Sequence, residues 1–269
     1  MSRLECSVGI VGAGSMGGAI ARGLVASGAL DASKIASCDP SASVLEPLAE
    51  LGIKCLASGE ELVGLGTDVV ILAVKPQILP AVVAPHATSL EGRLVVSIAA
   101  GVNLETLEGL LPGARVVRVM PNLPIQVLSG ASAVCAGVCA TVDDANLVRD
   151  LFAALGSAQV MREDQLDVAG AVSGCGPAYF ALFVDDLTRA GVRAGLPAVA
   201  CREMVLATMR GVAQQLIDSG EHPRAYMEKV TSPGGTTAAG LQAMEASLFY
   251  AASDAVDAAL ERTRELAEA

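Results

Sequence analysis

The sequence predicts an α/β protein in two parts: an N-terminal Rossmann-type, doubly wound, mostly parallel sheet, and an all-α C-terminal half that serves dimerisation. Three observations carry this. Strand and helix signals alternate from Ser7 to Met161, the order that builds a parallel sheet with crossover helices. From Asp164 onward no convincing strand is found. A glycine-rich turn, Gly12–Gly17, stands between the first strand and the first helix, where a dinucleotide fingerprint must stand. The boundary falls near Met161–Asp164. Residues 1–162 are expected to bind a dinucleotide, and residues 163–269 to be the helical substrate-binding and dimerisation domain.

Ser7–Val11 reads as a buried strand, and Gly18–Val25 continues at helical spacing with small residues. The strand Lys34–Cys38 begins about twenty residues after the glycine turn, as a βαβ unit requires. A helix near Ser43–Leu51, a strand Ile53–Leu56 and a short helix near Glu60–Gly64 come next. Val69–Val74 is a continuous β-branched run, expected to be buried on both faces. Gln77–Ala84 is a poor short helix. Strand Leu94–Ile98, helix Leu104–Leu111 and strand Arg115–Met120 continue the alternation, and Ala131–Cys135, Asp143–Leu155 and Ala158–Met161 end it.

In the second half, Pro177 suits the first position of a helix running to about Ala194, and Pro197 opens another to Ile217. Arg224–Val230, Ala238–Ala246 and Ser247–Glu268 complete it. Val168–Val184 lacks charge for seventeen residues, the lower edge of a membrane span. It contains Gly170, Gly174, Gly176 and Pro177, so it reads as a loop plus a buried helix. The stretches Ala178–Val184 and Val199–Val212 are apolar on more than one face, which calls for a partner surface. An interlocked dimer through this half is expected.

Composition narrows the function classes. Of 269 residues, 52% are hydrophobic and 3% aromatic, so the core must be built from Ala, Val, Leu and Ile. The net charge of −11 argues against nucleic acid and anionic membranes as partners. Seven scattered cysteines without a C-x-x-C read as reduced core cysteines of a cytoplasmic protein. With only His86 and His222, a histidine metal site or a Ser-His-Asp triad has little to draw on, and no metal is expected. His222 precedes Pro223 at an apparent helix start and reads as a surface or capping residue. No secretory signal is visible, because the N-terminal apolar run is used by the first strand.

The chemistry gathers in two places. In Gly12-Ala13-Gly14-Ser15-Met16-Gly17 the first glycine permits the turn, the second lets a pyrophosphate approach and the third lets helix pack on strand. Ligands of such a sheet lie beyond the carboxyl ends of its strands. There stand Cys38 and Asp39; Ala73, Lys75 and Pro76; Ala99 and Gly101, small enough to leave room for a flat ring; and Asn122. An acid at the second strand's end serves the ribose 2′-OH of NAD, and an Arg there serves the 2′-phosphate of NADP. Asp39 is one residue past the usual place, no Lys or Arg is near, and Ser37, Ser41 and Ser43 can donate to a phosphate. These residues leave NADH and NADPH both open.

The second place is Val230-Thr231-Ser232-Pro233-Gly234-Gly235-Thr236-Thr237, followed by a helix. A Pro-Gly-Gly turn clears side chains from the backbone, and the helix offers its unpaired N–H groups to an anion. Four hydroxyls surround those donors. The arrangement suits a small carboxylate held without arginine; a glycine linker with a threonine cap is the bland alternative.

Taken together these residues resemble the pyrroline-5-carboxylate reductase family over essentially the whole chain. The resemblance rests on Gly12–Gly17, Ala73–Gln77, Ser97–Gly101, Arg118–Asn122, Ser173–Tyr179 and Val230–Thr237. It implies reduction of the C=N bond of 1-pyrroline-5-carboxylate by NAD(P)H to give L-proline, the last step of proline synthesis. It also implies NADPH as the preferred cofactor, a homodimer and a ring of dimers. Carried over residue by residue, the substrate loop falls on Ser232, Pro233, Gly234, Gly235, Thr236 and Thr237. The nicotinamide-side residues fall on Ala73, Lys75, Ala99 and Gly101. Thr237 and Lys75 are the candidate catalytic residues, with Thr237 placed as the hydroxyl neighbour of the imine nitrogen. Cys175 departs from the family's usual Ser and is a weaker donor. A β-hydroxyacid dehydrogenase shares the glycine fingerprint, but its catalytic Lys would fall on Phe180. A non-catalytic NADP-sensing regulator would not explain the hydroxyl-rich loop.

Overall fold

The computed structural model describes residues 3–267. Among them, eight strands form one sheet: β1 (Val8–Val11), β2 (Ile35–Cys38), β3 (Lys54–Leu56), β4 (Val69–Leu72), β5 (Leu94–Ser97), β6 (Arg115–Met120), β7 (Gly130–Ala136) and β8 (Gly156–Val160). Their spatial order is β3-β2-β1-β4-β5-β6-β7-β8. The sequence reverses direction about β1, which puts the topological switch point between β1 and β4. All neighbouring pairs are parallel except β6 and β7. The link between those two is too short for a crossover helix. It is a 3₁₀ turn, Leu123–Val127, followed by Leu128 in the left-handed region at φ 56°, so the chain returns antiparallel.

Strands β1, β2, β4 and β5 are buried along their whole length, as expected of a sheet covered on both faces. The covering helices are α1 (Ser15–Ala26), α2 (Ala42–Ala49), α3 (Gly59–Gly64), α4 (Leu79–Val83), α5 (Leu104–Leu110) and α6 (Val142–Ala153). Phe152, Ile10, Ile20 and Leu24 fill one face and Leu62, Leu79, Leu90 and Leu107 the other. Each such side chain contributes about 1.5–3 kcal/mol of burial. Sequence-stretch Gln77–Ala84 resolves into the 3₁₀ turn Pro76–Ile78, then α4, then the 3₁₀ turn Ala84–His86.

The helix α7 (Glu163–Ala169) packs on the sheet rather than opening a separate body. The reason is Arg118, whose side chain on β6 is only 5% exposed and so must be paired. It donates to Glu163 at 3.2 Å and to Asp167 at 2.8 Å, both on α7. A π-helical turn, Gly170–Gly174, follows. It lies on Met120, whose methyl would be 3.1 Å from a Cβ added at either Gly170 or Gly174. The compact units therefore divide after Cys175: one holds the residues up to it with those from Ala259 on, the other is Gly176–Ala258.

The second unit is made of α8 (Gly176–Arg193), α9 (Ala198–Ser219), α10 (Pro223–Lys229) and most of α11 (Thr236–Ala267). Two expectations are corrected here. Ala238–Ala246 and Ser247–Glu268 are one helix, because neither Gly nor Pro interrupts the chain after Gly240; Glu268 itself lies outside the described residues. Pro177 stands in the first turn of α8, which runs to Arg193 as expected, but what precedes it is not a loop: α7 and the π turn carry the helical stretch back to Glu163. That stretch is, by length and composition, apolar enough to cross a membrane. Its first part is fixed to the sheet through the buried Arg118, and Leu166, Gly170 and Ala171 are buried there. Its second part is not the buried helix expected: Phe180 is 64% and Leu182 61% exposed. In the whole of Gly176–Ala258 only Gly176 and Cys201 are buried.

Candidate active site

A candidate cofactor site lies at the carboxyl ends of β1, β2, β4 and β5. Gly12 has φ +97°, and a Cβ there would meet the Ala73 carbonyl oxygen at 2.7 Å. At Gly17 it would lie 2.9 Å from the Ala73 Cβ and still closer to the Gly12 carbonyl. These two glycines thus let the loop, α1 and the end of β4 close on one another. Gly14 differs, because a Cβ there would meet nothing within 4 Å. Gly14 and Ser15 are exposed and Met16 half-buried. Gly14 is the N-cap of α1, whose first turn carries no acidic residue. The open side of the loop, beside the free amides of a helix start, fits a pyrophosphate.

Around it, Ala73 is half-buried, Lys75 exposed and Pro76 half-buried. Gly101 takes φ +75°, turning the chain back after β5. Gln126, which the sequence did not mark, reaches the loop and donates to the Ser15 hydroxyl at 3.5 Å. No local pattern announces a partner 111 residues away.

Several expected cofactor residues have their side chains committed within the protein. The Cys38 side chain packs in the core, and burial pushes its thiol up to about 11. What Cys38 offers the loop is its carbonyl, which accepts the Gly12 N–H at 2.9 Å. Ala99 is 4% exposed and its side chain packs in the core. Asp39 accepts the N–H groups of Ala13 and Ser41, each at 2.9 Å. Asn122 is buried, donates to the Ser173 carbonyl at 3.0 Å and accepts the Ala131 N–H at 2.8 Å. A π turn misaligns its carbonyls, and here side chains meet them: Asn122 at Ser173, and the Ser173 hydroxyl at Ala169, 2.7 Å away. Asn122 therefore joins the β6–β7 return to the π turn instead of presenting both ends of its amide to a ligand.

The hydroxyl-rich loop lies in the second unit, between α10 and α11. Ser232–Gly235 is a turn closed by the Gly235 N–H on the Ser232 carbonyl at 3.0 Å. Gly234 is at φ +69°, and a Cβ at Gly235 would strike the Ser232 hydroxyl. Helix α11 starts at Thr236, two residues before the expected Ala238, so Thr236 and Thr237 occupy its first turn. Thr231 is set apart from the other hydroxyls, because it donates to the Met227 carbonyl at 2.6 Å. Ser232, Thr236 and Thr237 are exposed. Their hydroxyls thus ring the start of a 32-residue helix whose first amides lack intrahelical acceptors. His222 caps α10, its Nδ1 accepting the Arg224 N–H at 3.2 Å. Among the described residues no group of three or more His, Cys, Asp or Glu side chains is placed to hold a metal.

Known proteins match this chain along its length. Residues 163–266 match the family described as pyrroline-5-carboxylate reductase dimerisation. Residues 7–101 match the family described as NADP oxidoreductase, coenzyme F420-dependent. Pyrroline-5-carboxylate reductase 3 of Mus musculus is 38% identical over 266 residues, covering 97% of this chain and 96% of that protein. The pyrroline-5-carboxylate reductase of Arabidopsis thaliana is 38% identical over 264 residues, covering 97% and 95%. Among solved structures, that of pyrroline-5-carboxylate reductase from Coxiella burnetii superposes with a TM-score of 0.92 at 31% identity, covering 97% and 98% of the two chains. The NADP-bound Plasmodium falciparum pyrroline carboxylate reductase gives 0.85 at 31%, covering 99% and 100%.

Proposed function

The chain belongs to the pyrroline-5-carboxylate reductase family, and from that premise we propose how its own residues carry the reaction. It is an NAD(P)H-dependent oxidoreductase that reduces the imine of 1-pyrroline-5-carboxylate to L-proline. When bound, the nicotinamide cofactor supplies the hydride. The protein's task is mostly placement, since the reacting carbons must be held close and in line.

The single observation that carries the residue assignment is the pair of exposed helix starts, each fitted to an anion and each free of side-chain bulk. Gly12, Gly14, Ser15, Met16 and Gly17 receive the pyrophosphate at α1. Ala73, Lys75, Pro76, Ala99 and Gly101 border the nicotinamide, with Lys75 adding positive charge beside it. At α11, Ser232, Gly234, Gly235 and Thr236 hold the substrate carboxylate through amides and hydroxyls. Thr237 donates a hydrogen bond at the imine nitrogen as that nitrogen becomes an amine. Threonine is too weak an acid to give up the proton itself, so water or an already protonated iminium supplies it. NADPH is the preferred cofactor in this reading, with NADH accepted. Residues 1–162 serve cofactor binding and residues 163–269 serve substrate binding and pairing.

Pairing is through the helical half. A unit with two buried residues has no core of its own, and the exposed Phe180, Leu182, Val199, Met204, Ile217, Phe249 and Tyr250 need a cover. A homodimer, assembled further into a ring of dimers, supplies it. Seven free cysteines support a reducing compartment, the cytoplasm. The direct test is oxidation of NADPH and NADH with pyrroline-5-carboxylate as the only acceptor. No imine-dependent oxidation would overturn the activity.

A further inference from the structure

Asp39 stands one residue past the place where a doubly wound fold puts the acid that hydrogen-bonds a ribose 2′-OH. Its carboxylate is turned elsewhere. Oδ2 accepts the Ala13 N–H at 2.9 Å, and Oδ1 accepts the Ser41 N–H at 2.9 Å. Next to this pair, the Gly12 N–H donates to the Cys38 carbonyl at 2.9 Å. Two successive amides of the glycine loop are thus held by two successive residues at the end of β2. Ala13 is only 3% exposed, so without Asp39 its N–H would be a buried donor with no acceptor.

The charge has the wrong sign for a 2′-phosphate, and both carboxylate oxygens already accept protein N–H groups rather than standing open to a ribose hydroxyl. Its two hydrogen bonds identify a different use. They turn the Ala13 N–H toward β2 and leave the donors around the open Gly14, at the start of α1, to face the ligand. They also tie the beginning of α2, through Ser41, to the same loop.

Resting on the reading of this loop as the cofactor site, we propose that Asp39 is a positioning residue for the glycine loop and not the residue that selects NADH over NADPH. An acid that bound the ribose would favour NADH, and its removal would help NADPH. An acid that shapes the loop serves both cofactors, and its removal harms both.

Calorimetric titration of NADPH and NADH into Asp39→Asn and Asp39→Ser separates the two, because binding is measured without turnover. Asparagine keeps one acceptor and puts an NH₂ where the second was, so one loop amide loses its partner. Both Kd values should rise, by about tenfold or more, as expected for one charge-assisted hydrogen bond lost. The KM for the imine at saturating cofactor should stay the same. Tighter NADPH binding with weaker NADH binding would overturn the proposal. So would unchanged Kd values with a lowered melting temperature, the mark of a purely structural carboxylate. If both variants fail to fold, the wild-type protein still decides: the Ala13 amide must be strongly protected from hydrogen exchange, and rapid exchange there sinks the idea. Binding without imine-dependent turnover would count against the reductase activity and leave Asp39's role standing. Binding of neither cofactor to wild-type protein would remove both.

Discussion

Thr237 gives the sharpest test of the loop at the start of α11. Its side chain is exposed in the helix's first turn, so Thr237→Ala breaks no buried packing. Alanine is also the better helix former, by up to about 0.7 kcal/mol. Stability should therefore hold or rise slightly, and any loss of rate must come from the reaction. A hydrogen bond to a nitrogen that gains basicity along the path acts chiefly in the transition state. Its loss is worth roughly 1.5–3 kcal/mol, on the order of ten- to a hundredfold in kcat. Ser232→Ala should act differently: a carboxylate donor is used equally before and during reaction, so KM for the imine rises while kcat holds. Steady-state kinetics with varied imine, NADPH affinity by titration, and a melting curve for each variant give the needed numbers. NADPH affinity should be nearly intact in both. Suppose instead that both variants melt earlier and keep wild-type kinetics. Then these hydroxyls only cap α11, and this loop is not the substrate site.

Four further outcomes are expected. Activity should survive exhaustive chelation, and loss restored by a divalent ion would contradict the metal-free reading. Light scattering at micromolar concentration should show a dimer or a multiple of it, since Gly176–Ala258 buries too little alone; a monomer would refute this. Asn122→Ala leaves the Ala131 N–H and the Ser173 carbonyl without their side-chain partner, so urea unfolding should show about 2–4 kcal/mol lost; a change below 0.5 kcal/mol or so would remove Asn122 as the link to the π turn. The Ser7 hydroxyl and amide hold the Asp68 carboxyl below the usual range. For Asp144, burial pushes the pKa up, but hydrogen bonds from Thr141 and the Arg115 guanidinium outweigh it and leave it lowered. Both contributions are then fully present above about pH 4 and fade as pH falls through the lowered folded values, so the urea midpoint should drop on acidification, and less so in Ser7→Ala.

The course of the chain through the sheet was legible because the signals are local. Val69–Val74 can be read as buried on both faces from its run of β-branched and aliphatic residues; the structure makes Val69–Leu72 the strand and buries all four, while Ala73 and Val74 beyond it are half-buried. Gly12 can be read as the turn glycine and Gly17 as the one that lets helix pack on strand; Gly12 takes φ +97°, and a Cβ at Gly17 would lie 2.9 Å from the Ala73 Cβ. A Ser such as Ser247 resembles a helix start, whereas no Gly or Pro after Gly240 breaks α11, so the helix runs on through it. The direction of β7 was not legible either. It depends on how the short return after Asn122 is fastened, by Leu128 in a left-handed conformation and by the Ala131 N–H on Asn122.

What the sequence by itself determined is which segments are strands and helices, where the glycines must admit close neighbours, and which residue types stand at the strand ends. What only the tertiary structure decided is what those residues face. Asp39 meets Ala13 across 26 positions, Asn122 meets Ser173 across 51, and Arg118 meets Asp167 across 49. The physical reason is that a carboxylate, an amide or a guanidinium takes whatever donor or acceptor the packed fold brings within about 3 Å. Periodicity and propensity fix the backbone along the chain, but they do not say which distant segment will arrive.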